Sequence, residues 1–255
     1  MLIDTHCHLN GYPPERVPEY VRNAVDAGVT RMVVIGSNLD DSRRAVDLAD
    51  AYPGTLFAAV GVHPHDAETW DSEAKEVVSA LAGRPGVVAI GEIGLDFYRL
   101  LSPRDRQIAA FEDQLELAAA LDLPVVVHCR DAYDETLGML ERSEVRRHGG
   151  VLHCWSGSAT DAQRTAGLGM MLGFGGIVTY DSARNVRDSL CSVPLENVVL
   201  ETDSPYLAPV PFRGKRNEPA HTRIIAEAVA GLRGIGLEQL ASITTANACR
   251  LYRLP

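Results

Sequence analysis

Met1-Leu2-Ile3-Asp4-Thr5-His6-Cys7-His8 opens the chain as a β-type run that ends in a pair of imidazoles. In an extended segment alternate side chains share a face, so His6 and His8 point the same way. They lie about 7 Å apart along the backbone, close enough to hold one cation together. Histidine pairs in strands also occur as hydrogen-bonded core residues, so this pair acquires meaning only from what the rest of the chain brings to it.

Outward from that run the same unit repeats. Pro14 to Ala27 has apolar Val17, Val21, Ala24 and Val25 at helical spacing and stops at Gly28; Arg31 to Ile35 is a short β-rich run, and Asp40 to Ala51 is a second helix. Thr55 to Val62 leads into His63-Pro64-His65, and a helix follows over Ser72 to Leu81. Val87 to Ile90 runs into Gly91-Glu92-Ile93-Gly94-Leu95-Asp96, and Ser102-Pro103 opens a long helix to Leu121 with proline in its first turn. Pro124 to Val127 ends at His128 and Gly150 to Leu152 at His153, each with a helix behind it, over Tyr133 to Arg142 and Thr160 to Leu168. Met170 to Val178 is a glycine-interrupted seventh run with a helix over Ser182 to Leu190. Val198 to Leu200 is the eighth, ending in Glu201-Thr202-Asp203-Ser204-Pro205, with a long loop and helices from Ala220 onward.

Eight short apolar runs, each followed by an amphipathic helical segment, predict a distorted (β/α)8 TIM barrel, because parallel strands buried on both faces read as continuous Val/Ile/Leu runs. A doubly wound open sheet would gather its polar residues at one switch point, whereas here nearly every run ends in one. No linker or low-complexity segment divides the chain, so one domain is expected over 1–255.

With 46% hydrophobic and 23% charged residues the composition is that of a globular protein, and no apolar run is long enough to span a bilayer. The N-terminal stretch lacks the basic and apolar segments of a signal peptide. Five cysteines without paired spacing argue against a disulfide framework. A cytoplasmic protein, expected as a monomer, follows. Cys7, Cys129 and Cys154 read as small buried hydrophobes on the opposite face of their strands. A net charge of −10 disfavours broad binding to polyanions but leaves room for a small basic cleft.

A barrel places all its strand ends around one rim, where active sites of this architecture sit. That rim collects His6, His8, His63, His65, Glu92, His128, His153 and Asp203. Imidazole and carboxylate together suit Zn²⁺, Mn²⁺, Fe²⁺ or similar cations, and the set exceeds what one four-coordinate zinc with an open position needs. Two metals are indicated, and Glu92, central in strand order, is the best candidate for a bridging carboxylate.

The motifs Ile3-Asp4-Thr5-His6-Cys7-His8-Leu9-Asn10, Gly61-Val62-His63-Pro64-His65, Ile90-Gly91-Glu92-Ile93-Gly94-Leu95-Asp96, Pro124-Val125-Val126-Val127-His128-Cys129-Arg130, Leu152-His153-Cys154-Trp155-Ser156-Gly157, Leu200-Glu201-Thr202-Asp203-Ser204-Pro205-Tyr206 and Arg213-Gly214-Lys215-Arg216-Asn217-Glu218-Pro219 run in order along the whole chain. In them the chain resembles the TatD family of metal-dependent DNases, within the amidohydrolase-like barrels. The resemblance implies two divalent cations (Mg²⁺, Mn²⁺ or Zn²⁺), one held by His6, His8, Glu92 and Asp203 and the other by Glu92, His128 and His153. It also implies DNA, cut at single-stranded ends, as the substrate.

The remaining candidates follow from position. His63 sits at a strand end without an assigned metal and is expected to hydrogen-bond a phosphate oxygen or the leaving group. His65 is a candidate for substrate contact or for anchoring its loop. Arg213, Lys215 and Arg216 form the one dense basic patch and, with Arg130, are expected to hold phosphates. His148, beside Arg146 and Arg147, reads as a solvated helix end, and His221 as a cap or surface residue. Asp203 is expected to act both as ligand and as the base that takes a proton from the attacking water, with Glu92 completing the catalytic set. The competing enzymatic reading is a hydrolase of C–N or ester bonds in a small molecule or an acyl-nucleic acid, since one rim supports both chemistries. A binding protein with a structural metal is the third.

Overall fold

The computed structural model describes residues 1–255. Strands β1 (Leu2–Cys7), β2 (Val29–Ile35), β3 (Leu56–Val60), β4 (Val87–Asp96), β5 (Val125–Arg130), β6 (Gly150–Leu152), β7 (Met171–Phe174) and β8 (Val198–Leu200) form one parallel sheet in sequence order. The helices are α1 (Val17–Asp26), α2 (Leu39–Ala51), α3 (Ser72–Ala82), α4 (Arg104–Ala120), α5 (Tyr133–Arg142), α6 (Val145–His148), α7 (Ala159–Gly167), α8 (Arg184–Ser192), α9 (Thr222–Arg233) and α10 (Leu237–Tyr252). None is long and apolar enough to cross a membrane. The (β/α)8 barrel expected from the repeating unit is what forms.

Alternation along the strands sorts the apolar side chains into two layers. Met32, Val34, Leu56, Ala58 and Val127 pack outward with helix residues such as Ala45, Val46 and Leu137. Ile3, Val33, Phe57, Val126, Val151 and Val199 face into the lumen, and the end of α10 and the residues after it close over them with Leu251, Tyr252 and Leu254. Thr245 Oγ1 donates to the Met1 carbonyl at 3.1 Å, which fixes α10 at the end where the strands begin.

The seam between β1 and β8 is the irregular part. A single parallel bridge, Cys7 to Ser204, closes it. The rest is stitched by side chains: Thr5 Oγ1 donates to the Leu200 carbonyl at 3.0 Å, and Asp4 accepts from the Thr202 amide at 2.9 Å and the Thr202 hydroxyl at 2.6 Å. Backbone bonds from Asp203 N to His6 O (2.9 Å) and from His8 N to Ser204 O (2.8 Å) then bring the ends of β1 and β8 together. Pairing of β1 with β2 shifts register between Asp4 and Cys7, so β1 stops at Cys7 and His8 stands just beyond it.

The glycine-interrupted seventh run is shorter than its apolar pattern predicts. It ends at Phe174 and continues as a 3-10 turn over Gly176–Thr179. A Cβ on Gly173 would lie 2.1 Å from Glu201 Oε2, and one on Gly176 would lie 2.0 Å from the Leu207 carbonyl. Both positions need glycine because β8 and its following loop press against them.

Three expectations require correction. His148 is buried, its Nδ1 2.7 Å from Asp122 Oδ1 across 26 residues of sequence, so the arginines flanking it misled. His221 takes the first of its two expected places, the N-cap position of α9, and only the surface alternative fails: it is buried, bonded to Asn217 Oδ1 at 2.8 Å and stacked on Phe212. Cys154 lies past the end of β6 at φ 49° with its amide donating to Glu201 Oε1, whereas Cys7 and Cys129 pack outward in strands as expected.

Candidate metal centre

His6, His8 and Asp203 meet at the seam. His6 Nε2 and His8 Nε2 are 3.2 Å apart, and Asp203 Oδ1 is 3.7 Å from the first and 3.4 Å from the second. Asp203 occupies the left-handed region at φ 55°, a conformation that aspartate tolerates better than most side chains. The turn after it is held by backbone, Tyr206 N to Asp203 O at 2.9 Å, which leaves the carboxylate free to face the imidazoles.

Glu92, buried near the middle of β4, reaches both sides of the rim. Its Oε2 lies 3.6 Å from His6 Nε2 and 3.9 Å from His8 Nε2. Its Oε1 lies 3.0 Å from His128 Nδ1 and 2.8 Å from His153 Nε2, which are themselves 3.3 Å apart. The rings of His6 and His153 stack at 3.8 Å, so the two sets share a wall. Burial pushes the Glu92 carboxyl up, but the charges of His153 and His63 and the hydrogen bonds from His128 and His153 hold it well below the usual carboxylate range. Burial lowers His6 well below an ordinary histidine, with His153 adding to the effect.

These donors fit divalent cations. Neither Glu92 nor Asp203 has a lysine or arginine ion pair; their only charged neighbours within pairing distance are imidazoles. His6, His8 and Asp203 present ligand atoms within 4.8 Å of one another, and Glu92 Oε1, His128 Nδ1 and His153 Nε2 lie within 3.3 Å of one another. A buried carboxylate with no lysine or arginine beside it needs positive charge, and N/O ligation by a divalent ion supplies it in place of a proton shared with a ring such as His128.

The tautomer of His63 is fixed by the backbone beside it. Its Nδ1 accepts from the His65 amide at 3.1 Å, so the neutral ring carries its proton on Nε2, 3.3 Å from Glu92 Oε1. Burial pushes His63 down to about 4, which keeps the ring neutral. In that tautomer Nε2–H faces Glu92 across the rim as a donor.

Behind the ligand candidates stand carboxylates to which the sequence reading gave no role. Asp96 Oδ2 lies 3.2 Å from His128 Nε2 and 2.9 Å from His65 Nε2, so it orients the ring that faces Glu92 with Nδ1. Burial and these bonds act oppositely on Asp96, and the bonds from His128, the Arg99 amide and His65 prevail, holding it below the usual range. For His128, burial lowers the pKa but the hydrogen bonds to Asp96 and Glu92 raise it to about 9. Glu201 is fully buried beneath the rim, with Oε1 3.8 Å from His153 Nδ1, and burial raises its carboxyl well above the usual value. Burial likewise raises Asp4 to about 7 against its bonds to Thr202 and the His6 amide. All three were inside the quoted motifs; their signal was a carboxylate within four residues of a candidate ligand.

The rim opens into a cavity of about 550 Å³ lined by His8, His63, His65, Glu92, Arg99 and Tyr206, among others. The four cations expected to hold phosphates are not on its wall. Arg130 lies over Tyr98, Arg213 over Tyr180, Lys215 over Phe212 and Arg216 over Tyr12. The arginine on the wall is Arg99, which the sequence reading missed because it stands alone. A smaller groove of about 190 Å³, bordered by Glu112, Glu116 and Arg142, lies on the helical exterior away from these ligands.

The profile of the TatD related DNase family matches residues 3–253. The chain belongs to that family. The metal-dependent hydrolase YabD of Bacillus subtilis (strain 168) is 38% identical to it over 255 residues, covering 100% of both chains. A protein of Erwinia billingiae (strain Eb661) named 3'-5' ssDNA/RNA exonuclease TatD is 41% identical over 243 residues, 93% of each. Among solved structures, YJJV, a TatD homologue from Escherichia coli k12, superposes with a TM-score of 0.93 at 33% identity, covering 100% of this chain and 98% of that one. The family member described here is a metal-dependent hydrolase.

Proposed function

We propose that this hydrolase is a two-metal phosphodiesterase that shortens single-stranded DNA from its ends. The observation that carries the proposal is the division of Glu92: Oε2 faces His6, His8 and Asp203, while Oε1 faces His128 and His153. His6, His8, Asp203 and Glu92 would hold one cation, and Glu92, His128 and His153 the other. When bound, such a pair supplies Lewis acidity toward the attacking water and the phosphate oxygens.

The remaining work falls to the chain itself. Asp203 accepts the proton of the attacking water at its carboxylate, which stands beside His8 at the mouth of the cavity. His63 donates an Nε2–H hydrogen bond, without transferring the proton, to a phosphate or leaving-group oxygen, its opposite nitrogen being fixed by the His65 amide. Asp96 keeps His128 and His65 in register, and Arg99 offers charge to a neighbouring phosphate from the cavity wall. The exonuclease name of the Erwinia relative, which includes RNA, supports the polymer class. One catalytic domain over 1–255 and a cytoplasmic setting, which five unpaired cysteines favour, complete the proposal.

Metal content and turnover test it together. The purified protein should hold two divalent cations per chain, and end-labelled single strands should be cut in a way that chelation abolishes. Full activity with one cation per chain, or faster turnover of a panel of amides and carboxylic esters than of the oligonucleotide, would overturn it.

A further inference from the structure

The exposed apolar surface of this acidic chain is concentrated on two loops that follow strands of the barrel. Nine large apolar side chains are exposed, and six of them sit on two loops: Tyr98, Leu100 and Leu101 after β4, and Tyr206, Leu207 and Val210 after β8. Of the eight tyrosines in the sequence, only Tyr98 and Tyr206 are exposed, each at 61%. In the closed order of eight strands, β4 and β8 stand opposite each other. The two loops therefore rise from opposite sides of the rim, with Tyr206 on the cavity wall and Tyr98 beside Arg99, which is on that wall too.

Both rings are held from behind. The Tyr98 amide donates to Asp96 Oδ1 at 3.0 Å, the same carboxylate that bonds His128, and the Arg130 guanidinium covers one side of the ring at 4.0 Å. The carbonyl of Tyr206 accepts from Asn217 Nδ2 at 2.7 Å, and its ring meets His8 edge-on at 6.0 Å. A pre-positioned aromatic ring, exposed and next to a guanidinium, matches a nucleobase: the ring stacks on the base while the cation attends the phosphate.

We propose that Tyr98 and Tyr206 are base-stacking platforms for a single-stranded nucleic acid, one on each side of the scissile phosphate. The proposal rests on the phosphodiesterase reading above and adds the residues that select an unpaired strand. In a duplex the base faces are occupied by their neighbours, so neither platform has anything to stack on. Arg130, which lies off the cavity wall, finds its place here as the support of Tyr98.

Equilibrium binding of the metal-loaded protein to a fluorescent single strand with phosphorothioate linkages tests it, with an otherwise identical strand of abasic nucleotides as the comparison. The wild type should bind the intact strand more tightly than the abasic one. Tyr98→Leu and Tyr206→Leu keep an apolar side chain but remove the ring, so each should bind the intact strand roughly 5- to 100-fold more weakly and discriminate less against the abasic strand. Tyr→Phe at either position should restore discrimination. Leucine variants that bind and discriminate like the wild type, or a wild type that holds both strands equally, would overturn the platforms while oligonucleotide cleavage still stood. A wild type that neither binds nor cuts the strand removes the phosphodiesterase reading and the platforms with it.

Discussion

The lumen of the barrel has two ends, made by the same eight strands and filled in opposite ways. Where the strands begin, Ile3, Val33, Phe57, Val126 and Val199 interlock and Leu251, Tyr252 and Leu254 shut the opening. Where they end, His6, Glu92, His153 and Glu201 are equally buried, yet His6 Nδ1, His153 Nδ1 and Glu201 Oε2 lack hydrogen-bond partners. Burial of apolar area stabilises the first end at about 25 cal/mol per Å². The second end contributes little of that and bears desolvated donors and acceptors, each costing roughly 1–3 kcal/mol when unpaired. One end of the lumen maintains the fold, and the other holds ligand atoms in place at the expense of stability.

The largest test of that division is Glu92→Ala, which removes the carboxylate common to both ligand sets. Loss of several kcal/mol of charge stabilisation corresponds to a rate reduced by roughly 10³-fold or more. Metal content measured on the same sample should fall at both sets; a variant that kept two cations and normal turnover would refute the bridging role. Asp203→Asn preserves shape and some ligation but cannot take a proton, so turnover at saturating metal should drop by roughly 10²-fold, with much of the metal retained. Near-normal turnover across the pH range would assign the base elsewhere.

At the opposite end, Tyr252→Ala should lower unfolding free energy by about 3–5 kcal/mol in a denaturant titration, since the ring is buried and its hydroxyl bonds the Thr5 carbonyl at 3.3 Å. Metal stoichiometry of the folded fraction should not change. If cations were lost along with stability, the two ends would be one cooperative unit. Asp96→Asn probes the layer between ligand and scaffold: metal affinity from a competitive chelator titration should weaken roughly 10- to 100-fold. The smallest effect belongs outside the lumen altogether. Replacing Lys215 and Arg216 with alanine should move stability by no more than about 0.5 kcal/mol, because both side chains are exposed. It should still raise the strand concentration needed for half-maximal cleavage, and an unaltered concentration dependence would reduce the loop to a solvated surface.

The architecture was legible because parallel strands buried on both faces leave a continuous apolar run, and all but the second and seventh runs lead into an imidazole or carboxylate that has no place in an apolar core. The ligand candidates were legible for the same reason. Other features were hidden by distance along the chain. His148 looked solvated beside Arg146 and Arg147, but its partner, Asp122, is 26 residues away and belongs to the loop after α4. The basic loop reads as a phosphate clamp, and what the sequence did not show is that each of its cations lies over an aromatic ring, Tyr180, Phe212 or Tyr12, off the cavity wall. Arg99, unremarkable in the sequence, reaches the wall because Asp96 turns its loop inward by accepting the Tyr98 and Arg99 amides at 3.0 and 2.8 Å.

The sequence by itself determined that His6, Glu92, His128, His153 and Asp203 would gather on one rim, because strand periodicity and strand order are local properties of the backbone; that β4 runs on to Asp96 and carries Glu92 near its middle was not part of that reading. Only the tertiary structure decided which oxygen of Glu92 faces which imidazoles, which nitrogen of His63 carries the proton, and which of the carboxylates Asp4, Asp96 and Glu201 stands behind each ring. The choices that involve His6, His8, Asp4 and Asp203 depend on the register shift in β1 and on closure of the barrel through one bridge at Cys7 and Ser204. Closure joins residues almost 200 positions apart (Asp4 and Thr202 are 198 apart), and a pattern that repeats every two or four residues carries no information about such a contact.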